Sequence, residues 1–92
     1  MSNEGATRTA EILAAIAKSE RIPVERIALD SSFEELGIDS LDGFNLLYEV
    51  ENQFNVTITD EDAREIRDVR SLIAVVERLL AQAEAASKTS PA

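Results

Sequence analysis

Ser40-Leu41-Asp42-Gly43-Phe44-Asn45-Leu46-Leu47-Tyr48-Glu49-Val50-Glu51-Asn52-Gln53-Phe54 contains no proline. Its apolar residues recur with a period of 3.6 rather than 2, which predicts one helix over the whole stretch. At about 100° per residue, Gly43, Leu46, Leu47, Val50 and Phe54 fall within one arc of roughly 100°, enough for a buried face. Gly43 in that face lets another element approach closely, although it costs about 1 kcal/mol of helix propensity. Leu41, Phe44 and Tyr48 cluster within about 60° on nearly the opposite side, beside Asn45, Glu51 and Asn52. The core does not require this second patch. Either a partner covers it, which makes it a docking surface, or the preceding loop folds over Phe44.

On the N-terminal side, apolar residues recur at helical spacing from about Ala6 to Ser19, with Ile12 and Ile16 one turn apart and Leu13 and Ala17 beside them. Pro23 interrupts this pattern. The residues up to Asp39 then mix apolar anchors (Val24, Ile27, Leu29, Phe33, Leu36) with the turn formers Asp30, Ser31, Ser32 and Gly37. A connection of this length without regular structure needs those anchors to pin it to the core.

On the C-terminal side, Asn55 ends the central helix. Val56 and Ile58 alternate as a strand does, but two apolar positions cannot support a sheet. Thr59 followed by Asp60, Glu61 and Asp62 places a capping hydroxyl before first-turn acids, predicting a short helix over about 60–66. Asp68 can cap a fourth helix whose Leu72, Ile73, Val76, Leu79 and Leu80 form a broad apolar face through about Ala83. The residues from Ala86 to Ala92 have nothing to bury. The expectation is an all-α four-helix bundle with three longer helices, a short third one and a long loop between the first two. Residues 6–83 form the domain, with flexible ends at 1–5 and 84–92.

Charge is distributed unevenly. The net charge is −9, and between Arg26 and Arg64 there is no Lys or Arg, while Asp30, Glu34, Glu35, Asp39, Asp42, Glu49, Glu51, Asp60, Glu61 and Asp62 all lie there. Such a field repels phosphate backbones and anionic headgroups and steers basic protein surfaces, so neither nucleic acid nor a membrane surface is an expected partner. An acidic surface that merely keeps a small domain soluble is the simpler alternative. With no Cys and no His, thiolate nucleophiles, imidazole bases and the common zinc ligands are excluded. Asp60, Glu61 and Asp62 lack the alternating oxygen ligands and central Gly of a calcium loop, so no metal site is expected. No apolar run approaches a membrane span and Met1 to Gly5 lack the plan of a secretion signal, which points to a cytoplasmic protein.

Phe33-Glu34-Glu35-Leu36-Gly37-Ile38-Asp39-Ser40-Leu41-Asp42 resembles the attachment motif of the acyl carrier protein family: Leu-Gly, one variable residue, then Asp-Ser-Leu. The resemblance extends from the first helix to the fourth, with Phe54 ending the central helix and Val69 to Leu80 closing the domain. It implies a bundle of acyl-carrier type in which Ser40, flanked by Asp39 and Leu41, receives 4'-phosphopantetheine from coenzyme A through a phosphopantetheinyl transferase. The arm's thiol then holds acyl groups as thioesters, and the protein is a carrier rather than an enzyme, with no catalytic residues of its own. Physical chemistry agrees: a helix N-terminus exposes Ser40 and offers unpaired amides to a phosphodiester. Alone, Ser40 reads as a plain helix N-cap, and the two roles are compatible.

The resemblance further implies partners with basic docking patches: acyl-transferring, condensing or acyl-activating enzymes that meet a monomeric carrier on its second helix. There Asp39, Asp42, Glu49 and Glu51 serve guidance, and Leu41, Phe44, Asn45 and Tyr48 serve contact. Ile38 before Asp39 resembles acyl carriers more than the aminoacyl or peptidyl carriers of nonribosomal synthesis, which more often have Gly there. Asn45, Asn52 and Gln53 stand where the main fatty acid carriers often have Glu. Phe33, seven residues before the serine, resembles polyketide and other specialised carriers. An unmodified helical interaction module using the Leu41, Phe44 and Tyr48 patch is the rival outside the family.

Overall fold

The computed structural model describes residues 4–89. Four helices follow one another: α1 (Glu4–Glu20), α2 (Ser40–Phe54), α3 (Asp60–Glu65) and α4 (Val69–Thr89), with a single 3-10 turn at Val24–Arg26. The all-α bundle with a short third helix is the expected one. No strand forms among the described residues, and Val56 and Ile58 lie in an extended linker.

The core is a seam of branched aliphatics from three helices. Ile12 and Ile16 of α1, Leu46 and Val50 of α2, and Val69, Leu72 and Val76 of α4 are wholly buried. The long connection is pinned by Ile27 and Ile38, both buried, with Phe33 and Leu36 packed against them at partial burial. Val24 and Leu29, expected as further anchors, are instead exposed. Their work is done by main-chain bonds to the start of α4. Ser31 O accepts from Val69 N–H (3.0 Å), Leu29 O accepts from Arg70 N–H (3.0 Å), and Phe33 N–H donates to Arg67 O (3.1 Å). Satisfying these peptide groups fixes the loop without apolar burial at every anchor.

Helix ends follow local chemistry. Asp68 caps α4 by accepting from Ser71 N–H (2.8 Å), while the Ser71 hydroxyl accepts from Asp68 N–H (3.0 Å). Thr59 and Asp62 form a reciprocal capping box on α3. Asn55 closes α2 in the left-handed region at φ 57°, where an Asn side chain is tolerated better than most.

Both outer helices run past their expected ends. α1 begins at Glu4, and α4 continues through residues 84–89, which the sequence suggested as tail. Ala81, Ala83, Ala85 and Ala86 carry the highest intrinsic helix propensity, and no breaker precedes Pro91, so the helix propagates through this stretch. The parts of the two expected flexible ends at 1–3 and 90–92 lie outside the described residues.

Candidate functional site

The segment leading into α2 is more ordered than a plain connection. Ser32 Oγ accepts from Glu35 N–H (3.0 Å) and Glu35 Oε1 accepts from Ser32 N–H (2.9 Å), the two halves of a capping box. One helical turn follows and is closed by Ile38 N–H to Phe33 O (2.9 Å) and Gly37 N–H to Glu34 O (3.0 Å). This pair of bonds is a Schellman motif, with Gly37 at its left-handed position (φ 79°). Phe33 and Ile38, the residues such a motif brings together, wall one side of a cleft. Ser-x-x-Glu in the sequence is the signal that identifies this turn, and a reading based on turn formers alone misses it.

The turn delivers Asp39 and Ser40 to the head of α2. Asp39 is the N-cap: its Oδ1 accepts from Asp42 N–H at 2.9 Å and its carbonyl accepts from Gly43 N–H at 2.8 Å. The capping role considered for Ser40 therefore belongs to Asp39, whose carboxylate reaches the amide that a hydroxyl one residue later cannot. Ser40 becomes the first helical residue. It is exposed, its hydroxyl makes no hydrogen bond among the described residues, and the Ser40 and Leu41 amides find no acceptor there. A nucleophile-bearing side chain thus stands free at the positive end of a 15-residue helix.

Beside Ser40 opens a cleft of about 270 Å³. The loop contributes Phe33, Ile38 and Asp39, α2 contributes Ser40, Gly43, Phe44 and Leu47, and the end of α3 with its following linker contributes Ala63, Ile66 and Arg67. A Cβ on Gly43 would meet nothing within 4 Å. The close approach expected at this glycine is absent; its missing side chain instead leaves the cleft open. Ala63, Ile66 and Arg67 gave no sign of membership in the sequence, because they lie more than twenty residues from Ser40 and only the fold brings them near it.

The second face of α2 is exposed as its periodicity indicates. Leu41 is 70% accessible, and Phe44 and Tyr48 are each 65% accessible, so the loop does not cover Phe44. Phe44 also stands at the border between this patch and the cleft. Asp39, Asn45 and Glu49 are exposed around it, and Asp42 is half-buried. Glu51 departs from its expected place among the guiding acids. Its Oε2 accepts from Ile58 N–H at 2.6 Å, which commits the half-buried carboxylate to holding the α2–α3 linker.

Glu20, at the end of α1, adds to the acidic field. Partial burial raises its carboxyl above the ordinary 4.5, the Ser19 hydroxyl at 3.2 Å works in the opposite direction, and the Asp42, Asp39 and Glu49 carboxylates raise it further. Among the described residues no cluster of acids has the arrangement of a metal site, and no helix is long and apolar enough to cross a membrane.

The family model for the phosphopantetheine attachment site matches residues 10–76, from α1 into α4. An acyl carrier protein of Rickettsia bellii is 34% identical over 64 residues, covering 68% of this chain and 74% of that protein. One from Treponema pallidum is 47% identical over 55 residues, covering 56% and 70% respectively. The crystal structure of an acyl carrier protein from Thermotoga maritima aligns with a TM-score of 0.76 at 29% identity, over 87% of this chain and 94% of that one.

Proposed function

The chain belongs to the acyl carrier protein family, and on that footing we propose that Ser40 is its attachment point for 4'-phosphopantetheine and that it carries acyl groups as thioesters between enzymes of fatty acid, polyketide or related specialised biosynthesis. Members of this family are carriers and not enzymes. They are substrates of a phosphopantetheinyl transferase and are then served by acyl-handling enzymes.

The single observation that carries the assignment is the free Ser40 hydroxyl at the head of α2, beside an apolar cleft. When bound, the arm supplies a terminal thiol, a group the chain's own residues lack. The residues around Ser40 fit it. The unbonded amides of Ser40 and Leu41 at the head of α2 would serve as donors to a phosphodiester on Ser40, and the helix dipole favours that charge. Asp39 holds the first turn in place from the other side, and Gly37 supplies the left-handed step that brings the serine out of the loop. The cleft offers an apolar wall along which the first atoms of an acyl chain can lie.

Partners meet α2 on Leu41, Phe44 and Tyr48, ringed by Asp39, Asp42, Asn45 and Glu49. Exposed ion pairs of this kind contribute about 1 kcal/mol or less each, and they act mainly on association rate and orientation. A specialised acyl pathway is preferred over general fatty acid synthesis because Asn45, Asn52 and Gln53 take the place of part of the acidity on α2, because Phe44 and Tyr48 add aromatic contact area there, and because Phe33 walls the cleft beside Ile38.

Incubation of the apo protein with coenzyme A and a broad-specificity phosphopantetheinyl transferase, followed by intact mass measurement, tests the assignment. The expected result is a gain of one phosphopantetheine, abolished in Ser40→Ala. Folded protein that gains no mass would reject the carrier reading and leave an unmodified interaction module in its place.

A further inference from the structure

The cleft beside Ser40 has one cationic residue, Arg67, in a lining otherwise made of apolar groups, Asp39 and Ser40 itself. The sequence between Arg26 and Arg64 has no cation at all, so Arg67 is brought to the head of α2 by the fold alone. Its neighbours in α4 are committed elsewhere: Arg70 pairs with Asp30 at 2.7 Å, and Arg78 pairs with Asp62 at 2.6 Å and Glu65 at 3.1 Å. Among the described residues no carboxylate lies within 4.0 Å of the Arg67 guanidinium. The Arg67 main chain, by contrast, is fixed on both sides. Its N–H donates to Ser71 Oγ (2.9 Å) and its carbonyl accepts from Phe33 N–H (3.1 Å), across the same cleft wall.

An exposed guanidinium on an anchored backbone, with no hydrogen-bond or ion-pair partner among the described residues, stands at the edge of an apolar cleft with its donors free for an acceptor. A saturated acyl chain gains nothing from it. A chain bearing a carbonyl oxygen beyond the thioester would otherwise set that oxygen against Phe33, Ile38, Leu47 and Ile66, none of which offers a side-chain donor. Asp39 cannot serve, because it is itself an acceptor and already holds Asp42 N–H.

We propose that Arg67 is a specificity-determining residue that favours oxygen-bearing acyl chains, of the β-keto class, over saturated chains of equal length in the cleft beside Ser40. This rests on Ser40 carrying the arm.

The test loads the protein from a medium-length saturated acyl-CoA and from its β-keto counterpart, using a broad-specificity transferase, with loading read by intact mass. Resistance of each thioester to cleavage by hydroxylamine then reports shelter in the cleft. In the native protein the β-keto form is expected to be the better protected. Arg67→Gln should lower that protection by about tenfold, the scale of a hydrogen bond to a charged group, and leave the saturated form unchanged, with Arg67→Lys restoring part of it. Loss of protection for both chains alike would place Arg67 on the phosphodiester and overturn the proposal, as would no change for either. Failure to load any chain on folded protein would instead remove the Ser40 assignment and this inference with it.

Discussion

Gly37 and Gly43 flank Ser40 by three residues on either side and serve opposite ends. Gly37 is a backbone requirement, since its φ of 79° is one that side chains rarely adopt. Gly43 is a spatial one: any residue fits its helical backbone, and the open volume beside it is what would be lost. Gly43→Ala is therefore expected to stabilise α2 by about 0.5–1 kcal/mol, raising Tm by a few degrees, while placing a methyl group in the cleft. A thermal melt checks the first effect, and faster hydroxylamine cleavage of a saturated acyl form checks the second. A Tm that falls would show that the site is closed rather than open. At this scale the sequence is uneven as a guide. Asp39-Ser40-Leu41 declares itself by its neighbours, whereas Glu51 looks like any other surface acid until its bond to Ile58 N–H is seen. Arg67 has no local signature, because what distinguishes it is a distance in space.

Among the elements, α2 is the one whose role periodicity expresses most fully. Two apolar arcs at helical spacing separate a buried stripe from Leu41, Phe44 and Tyr48, and the accessibilities follow that division. Tyr48→Ala should change folding stability by no more than about 0.5 kcal/mol, as substitutions at exposed positions do, while lowering turnover by a partner enzyme about fivefold or more if Tyr48 is an anchor of the contact. Parallel measurement of Tm and partner kinetics separates the two. A loss confined to Tm would return Tyr48 to the core. Connections were less legible. The turn from Ser32 to Ile38 is built from a Ser32–Glu35 capping box, main-chain bonds and one left-handed glycine, which hydropathy does not encode, and its tie to α4 joins residues over thirty positions apart. The extra length of α4 shows the converse limit: an apolar face marks where a helix is buried, and alanine-rich sequence carries it beyond that point.

Over the whole molecule, the acids of α2 and the end of α1 share one side, and the folded state carries a cost for it. Glu20 is less acidic in the folded protein than in the unfolded chain, so above 4.5 its ionisation opposes folding; as the pH falls through the raised folded value, that penalty is relieved. Glu20→Gln should accordingly raise Tm at neutral pH, with the advantage shrinking on acidification and gone below the unfolded value. Melts at neutral and acidic pH decide this, and an unchanged Tm at neutral pH would remove Glu20 from the repulsive cluster. A basic partner surface would relieve the same repulsion, which links docking to stability in this carrier.

The two sides of the cleft differ in how firmly they are held. The loop side is stitched to α4 by main-chain bonds and rests on buried Ile38. The α3 side is a six-residue helix with no buried residue of its own, held by a capping box, the Arg78 ion pairs, the Glu51 bond to Ile58 N–H and the packing of Ile58 and Ile66 against the core, of which the ion pairs are weak where solvent reaches them. On the proposed carrier reading, a chain lodged in the cleft would displace α3 before the loop side at a cost rising gradually with chain length, so discrimination by length is expected to be graded.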